Sequence, residues 1–148
     1  MTTKLPIRIY LPKQAEILVP YFPVPIPAGP ARLIEQVAEE MDLDEYFKSG
    51  SQFGGYILGR AYGDSMRDAG IHDGDILVLH RTESAREGDV CIVEINGEAT
   101  VKRLKENRHG LSLVPANDAH PIRRVKPDDE LRVWAIVAHS IHSFRRAA

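Results

Sequence analysis

The chain has 148 residues and a mass of 16.6 kDa, which is the size of one ordinary domain and argues against a large multidomain enzyme. Hydrophobic residues make up 43% and charged residues 27%, values typical of a folded domain with its own core. The net charge of −2 provides no overall basic field for strong direct binding to nucleic acid. A single cysteine, Cys91, excludes a disulfide framework and the cysteine-rich zinc modules.

Seven of the ten prolines lie within the first thirty residues. Proline fixes φ, removes an amide donor and biases the preceding residue toward extended geometry, which excludes a continuous helix between Pro20 and Pro30. Apolar residues are interspersed with these prolines, so we expect an extended segment that lies against another surface. The N-terminus lacks a signal-peptide pattern, and no apolar stretch is long enough to cross a bilayer, which predicts a cytoplasmic protein.

The next segment has a different periodicity, because Leu33, Ile34, Val37 and Met41 recur at roughly helical spacing. This spacing predicts a short amphipathic helix within residues 31–47. An extended linker is the alternative for residues 29–53, which would then continue the arm.

From Gly54 onward the chain consists of short runs rich in β-branched residues, separated by turn residues, which predicts a mainly β body over residues 54–148. The Asn96-Gly97 pair between two such runs predicts a two-residue hairpin. Cys91 alternates with Val90 and Ile92 in one of these runs and is expected to be a core residue. The predicted strands span residues 56–62, 75–80, 89–95, 98–104, 111–115 and 131–142.

Ser65 directly follows the first of these strands, within the run Gly63-Asp64-Ser65-Met66. A serine between a strand and a turn can expose its hydroxyl and leave nearby backbone amides free to bind an oxyanion. The alternative is structural, with Ser65 capping one helical turn over residues 66–69. Residue type and position alone favour the structural role.

Lys102 lies in the strand predicted for residues 98–104, where alternation places it on one face with Thr100 and Leu104. A lysine in a strand is usually solvated. If this one is buried, desolvation disfavours its charged form and lowers its pKa. A neutral amine can accept the proton of a serine hydroxyl, which is the chemistry of a Ser–Lys dyad.

Four motifs occur in a fixed order around these two residues: Gly63-Asp64-Ser65-Met66, Ala69-Gly70-Ile71-His72-Asp73-Gly74-Asp75, Gly88-Asp89 and Thr100-Val101-Lys102-Arg103-Leu104. The ordered series, with Lys102 37 residues after Ser65, resembles the LexA/UmuD family of self-cleaving serine peptidases. The resemblance implies the fold of that family, mainly β with curled antiparallel sheets and an extended N-terminal arm, and it implies Ser65 and Lys102 as catalytic residues.

The resemblance also implies a cleavage site. Members of the family cut themselves at a small dipeptide in an N-terminal arm that folds into the active site, and this chain has Ala28-Gly29, 37 residues before Ser65. By the same resemblance, the backbone amides of Asp64 and Ser65 hold the oxyanion. We therefore expect a cleavable arm over residues 1–28 and a Ser–Lys peptidase domain over residues 54–148.

The length of the arm favours one branch of the family. Only 28 residues precede the Ala28–Gly29 bond, too few and too rich in proline for the helix-turn-helix domain of a LexA-type repressor, so we expect the UmuD branch. That branch implies the SOS response to DNA damage, a homodimer, and self-cleavage stimulated by a filament of RecA on single-stranded DNA. It also implies that the trimmed dimer serves a UmuC-like error-prone translesion DNA polymerase, with no cofactor, no metal and no membrane involved.

Two alternatives stay open beside this hypothesis. In the first, the chain is a LexA-family self-cleaving regulator without a DNA-binding domain. In the second, it is a non-catalytic protein that uses the same fold to bind partners. A signal peptidase shares the Ser–Lys chemistry but needs a membrane anchor, which the sequence does not show. His139 and His142 lie three residues apart, but no third ligand accompanies them, so no metal site is predicted.

Overall fold

The structure is a computed structural model, and it describes residues 18–21, 23–33, 39–82 and 84–145. Among these residues, two short strands and one helix precede the β-rich body, and a single turn of 3₁₀ helix, Arg67–Ala69, lies inside it. In chain order the elements are β1 (Leu18–Tyr21), β2 (Glu39–Asp42), α1 (Leu43–Lys48), β3 (Ile57–Arg60), β4 (Ile76–Arg81), β5 (Val90–Ile95), β6 (Glu98–Asn107), β7 (Gly110–Val114), β8 (Arg123–Arg124) and β9 (Leu131–Ile141).

Strands β3 to β9 form one antiparallel sheet of seven strands in the order β3-β4-β9-β5-β6-β7-β8. The interior strand β9 carries two bulges: Ala138 is the extra residue opposite β4, and Trp134 is the extra residue opposite β5. A bulge bends its strand and increases the local twist. The two bulges therefore curl the sheet around two core clusters, as the predicted fold class requires, and that prediction is confirmed.

The cores contain residues from both halves of the sheet. One includes Met66, Leu77 and Leu79, and the other includes Val93, Leu104 and Leu113. Cys91 belongs to the second core and is fully buried, which confirms the prediction for this residue. Burial raises the pKa of its thiol to about 12, so Cys91 stays protonated and unreactive at neutral pH.

The predicted hairpin is confirmed at Asn96 and Gly97. Ile95 pairs directly with Glu98, and both turn residues have positive φ, 52° for Asn96 and 85° for Gly97. Positive φ at both central positions defines a type I′ turn, whose twist matches that of the flanking strands. This turn sets the register of β5 and β6 and therefore the position of Lys102 on β6.

The prediction of a helix within residues 31–47 is wrong for residues 31–33 and 39–42, and it holds for residues 43–47. Residues 31–33 are irregular and residues 39–42 form β2, which pairs antiparallel with β1, while residues 34–38 lie outside the described part. The helix begins only at Leu43, where the side chain of Asp42 accepts hydrogen bonds from the amides of Asp44 and Glu45. Pairing with β1 thus overrides the helical spacing upstream of this N-cap.

The segment 18–21 is extended, as the prolines predict, and its contact is with β2. Residues 23–33 belong to the connection between these two strands, and Ala28 and Gly29 lie in a bend there. Within the described residues, no helix has the length and apolar character needed to span a bilayer.

Candidate active site

Ser65 lies just beyond the end of β3, after a tight reversal of the chain at Gly63. Gly63 has a φ of +86°, and its amide donates a 2.7 Å hydrogen bond to the carboxylate of Asp73. A side chain at position 63 would be strained in that conformation, which explains why glycine precedes the serine motif. The reversal leaves the Ser65 side chain half-buried beside the sheet.

The backbone around Ser65 is tied to the segment after β7. The amide of Ala116 donates to the carbonyl of Ser65 at 2.8 Å, and the amide of Asp68 donates to the carbonyl of Ala116 at 2.7 Å. The buried side chain of Asn117 donates to the carbonyl of Asp64 at 2.9 Å. These three bonds hold the turn that carries the serine rigidly against the body.

Lys102 approaches Ser65 from β6. Its ammonium nitrogen Nζ donates to Ser65 Oγ at 2.9 Å, to Thr100 Oγ1 at 2.8 Å and to the carbonyl of Val101 at 3.0 Å. Lys102 pairs with Cys91 of β5, so it lies in the interior of the sheet, and it is half-buried. The alternative of a solvated lysine is therefore wrong.

The capping alternative for Ser65 is also wrong. The 3₁₀ helix Arg67–Ala69 has Met66 at its N-cap position, without any side-chain capping bond. The Ser65 hydroxyl instead accepts the hydrogen bond from Lys102. Its position thus serves the contact with the lysine.

Burial lowers the pKa of Lys102 below its ordinary value of 10.5, because desolvation disfavours the ammonium form. Its three hydrogen-bond partners are uncharged oxygens, which offset this penalty less than a carboxylate would. When the amine loses its proton, its lone pair can accept the proton of the hydroxyl that lies at 2.9 Å. The pair therefore has the geometry and the electrostatics of a general base and a nucleophile.

A cleft of about 310 Å³ opens next to Ser65. All of its lining residues belong to the body, and apolar side chains form much of its wall. No backbone carbonyl among the described residues receives the amide proton of Asp64 or Ser65. The lining residues are Arg60, Ala61, Tyr62, Ser65, Ile92, Ala99, Thr100 and Val101.

Ala28 and Gly29 lie apart from this cleft. Both are exposed, and they line a separate hollow together with other residues of the same connection, among them Pro27, Pro30 and Leu33. The structure thus brings Ser65 and Lys102 together but holds the candidate scissile bond outside the cleft. Attack by Ser65 on this bond of the same chain would require the connection between β1 and β2 to move.

Three polar residues of the site were not singled out by the sequence. Thr100 holds the lysine amine, Asn117 holds the carbonyl before Ser65, and Asp73 holds the amide of Gly63. The sequence could have indicated Thr100, since this residue lies two positions before Lys102 on the same face of a strand. Asn117 is 53 residues from Asp64, and nothing in the local sequence indicates that contact.

The two histidines considered as metal ligands have other contacts. His142 shares a 2.6 Å hydrogen bond with the buried carboxylate of Asp75, whereas the ring of His139 packs on Tyr46 and Phe47. The described residues contain no group of three or more His, Cys, Asp or Glu side chains arranged to hold a metal ion.

Comparison with known proteins identifies the family. The profile of the family described as Peptidase S24-like matches residues 22–138. Protein SamA of Salmonella typhimurium is 36% identical over 127 residues, which cover 85% of this chain and 86% of SamA. Protein ImpA of Salmonella typhimurium is 36% identical over 116 residues, 78% of this chain and 77% of ImpA.

A LexA repressor from Oleidesulfovibrio alaskensis is 51% identical over a shorter range of 71 residues, which is 48% of this chain and 34% of that repressor. The family match spans Ser65, Lys102 and the core strands that position them. The chain therefore belongs to the Peptidase S24-like family, and its resemblance to the self-cleaving serine peptidases of the LexA/UmuD type is confirmed.

Proposed function

We propose that the chain cleaves its own Ala28–Gly29 bond by a Ser–Lys dyad, with Ser65 as the nucleophile and Lys102 as the general base and acid. The observation that carries this proposal is the 2.9 Å hydrogen bond between Lys102 Nζ and Ser65 Oγ, at the edge of a cleft open to an extended peptide. The lowered pKa of Lys102 supports it, because a dyad needs the amine in its neutral form.

Cleavage follows the acyl-enzyme route. Neutral Lys102 takes the hydroxyl proton of Ser65 while Oγ attacks the carbonyl carbon of Ala28, and the amides of Asp64 and Ser65 stabilise the oxyanion. The protonated lysine then gives its proton to the nitrogen of Gly29, and the C–N bond breaks. Lys102 then takes a proton from a water molecule, whose oxygen attacks the ester carbon of Ala28. As the bond to Ser65 Oγ breaks, Lys102 gives that proton to Oγ and the free serine is restored. The products are residues 1–28 and residues 29–148.

The arm controls when this reaction occurs. Since Ala28 and Gly29 lie outside the cleft, the cleavable conformation is a minor one that must become populated before attack. A partner that binds the cleavable conformation better raises the rate without changing the chemistry. In this proposal the partner is the filament of RecA on single-stranded DNA that the family resemblance implies.

The biological role that we propose is that of the UmuD branch. The chain matches 86% of SamA and 77% of ImpA but only 34% of the LexA repressor, which favours a relationship along the whole length with the short proteins. The trimmed product then acts as a homodimer in the cytoplasm, as an accessory subunit of a UmuC-like translesion polymerase during the SOS response. A regulator of the LexA type and a non-catalytic partner-binding protein are the competing functions.

The test is incubation of the purified protein at alkaline pH, followed by intact-mass spectrometry, with and without RecA, ATP and single-stranded DNA. We expect a product that begins at Gly29 and forms faster with the filament. Ser65→Ala and Lys102→Ala should both abolish it, while Ser84→Ala, a serine outside the cleft, should not. A stable wild-type chain, or cleavage that persists in Ser65→Ala, would refute the dyad and favour the non-catalytic role.

A further inference from the structure

The arm is joined to the body through helix α1. Asp42 is the last residue of β2 and also the N-cap of α1, so strand and helix meet without a linker. Among the described elements, β2 packs on β1 and α1 and makes no comparably extensive contact with a strand of the body. The position of α1 therefore fixes where the β1–β2 ribbon, and with it the connection that carries Ala28 and Gly29, leaves the body.

His80 holds the last turn of this helix. It lies on β4, is 7% exposed, and its Nε2 is 2.6 Å from the carbonyl oxygen of Phe47. A carbonyl only accepts, so Nε2 carries the proton and donates. The last four carbonyls of a helix have no partner within it, and His80 satisfies one of them across 33 residues of sequence.

Further contacts keep α1 against the same face of the sheet. The rings of Tyr46 and Phe47 lie 5.1 Å and 5.7 Å from the ring of His139 on β9. The Tyr56 hydroxyl donates to the buried carboxylate of Asp44 at 3.0 Å. These contacts are made by side chains that project from α1, whereas His80 is bonded to the helix backbone itself.

We infer that His80 is a positioning residue for self-cleavage: by anchoring α1 through the Phe47 carbonyl, it fixes the point from which the arm reaches Ser65. The inference rests on the proposed function, because positioning matters only if the arm is the substrate. An intramolecular reaction is fast because its tether restricts the reacting groups to productive positions. If α1 were released, the base of the arm would sample more positions. The fraction of conformations in which the arm reaches Ser65 would therefore fall.

The test compares cleavage within one chain with cleavage of a second chain. We expect His80→Ala to lower the first-order rate of self-cleavage roughly five- to tenfold. The same full-length variant, used as enzyme, should cleave a tagged Ser65→Ala chain at the wild-type rate, because that substrate brings its own intact anchor. His80→Gln, which keeps a donor NH2 at similar reach, should restore most of the intramolecular rate. His109→Ala, in the exposed turn between β6 and β7, should change neither rate.

Two outcomes overturn the inference. One is self-cleavage of His80→Ala at the wild-type rate, and the other is an equal loss of both rates, which indicates damage to the body. Hydrogen exchange of residues 43–48 reports on the anchor without any catalysis and should accelerate in His80→Ala. If the wild-type chain does not cleave itself, the proposed function fails, and unchanged exchange in the variant refutes the anchor separately.

Discussion

Lys102 and Ser65 are 37 residues apart in the sequence, yet Lys102 Nζ lies 2.9 Å from Ser65 Oγ. Two separate turns of the backbone bring these residues together. The type I′ turn at Asn96-Gly97 sets the register of β6, and the positive φ of Gly63 turns the chain after β3 toward that strand. The contact depends on the sheet rather than on a flexible loop, so we expect it to exist before the arm enters the cleft.

The rate of self-cleavage should rise with pH and reach a plateau. Only neutral Lys102 can accept the Ser65 proton, so the rate increases about tenfold per pH unit below the pKa of this amine. Because burial lowers that pKa below its ordinary value of 10.5, the midpoint of the rise should lie at lower pH than it would for a solvated lysine. First-order rates measured from pH 6 to 11 by gel densitometry give the profile.

Circular dichroism over the same pH range serves as the control for alkaline unfolding. Lys105→Ala removes an exposed lysine of the same strand and should leave the profile unchanged. A rate that is independent of pH, or that falls as pH rises, contradicts Lys102 as the base.

Lys102→Arg should abolish self-cleavage although it conserves the charge. A guanidinium stays protonated at every accessible pH, so it cannot act as a base. We expect a loss of at least about 1,000-fold, similar to that of Ser65→Ala, and no further loss in the double variant, because the two residues act as one unit. Intact-mass spectrometry over several days measures such slow rates, and thermal unfolding checks the fold. Strong residual activity in Lys102→Arg would count against the dyad.

Thr100→Val should distinguish two effects of Thr100 on Lys102, namely the orientation of its amine and the pKa of that amine. Valine keeps the shape and the β-branching of threonine but removes the oxygen that accepts a 2.8 Å hydrogen bond from Lys102 Nζ. Loss of an acceptor disfavours the ammonium form, so the pKa of Lys102 falls further and the midpoint of the pH profile moves to lower pH. The plateau should drop about tenfold because the amine is less well oriented.

The matched control for this variant is Thr82→Val, which removes the hydroxyl that accepts from the amide of Ser84, away from the cleft. It should keep both the midpoint and the plateau. A midpoint that moves to higher pH in Thr100→Val would show that the hydroxyl does not stabilise the charged amine.

The sequence alone indicates which residues meet in this site better than it indicates the contacts that hold them in place. Ser65 and Lys102 stand in local motifs with a recognisable interval, and strand alternation puts Thr100 on the face of Lys102. The contacts of Asn117 with Asp64 and of His80 with Phe47 depend on how distant strands are ordered in the sheet, which no local pattern encodes. The helix predicted upstream of Leu43 failed for a similar reason, since pairing of β2 with β1 replaced the local preference.

Asp75 should make stability fall in acid. Its carboxylate is 2% exposed, and burial alone would raise its pKa, but hydrogen bonds from the amide of His72 and the side chains of His142 and Ser140 outweigh that effect and hold the pKa below its usual 3.8. The unfolded chain therefore binds a proton at higher pH than the folded one, and the stabilisation, present above about pH 4, disappears as pH falls through the folded pKa.

Urea unfolding at pH 7, 5, 4 and 3 should show a steep loss of the free energy of unfolding below pH 4. Asp75→Asn should be less stable at pH 7 and should lose less stability between pH 4 and 3, whereas Asp118→Asn, at an exposed position, should follow the wild type. Parallel curves for wild type and Asp75→Asn would show that this buried carboxylate does not carry the acid sensitivity.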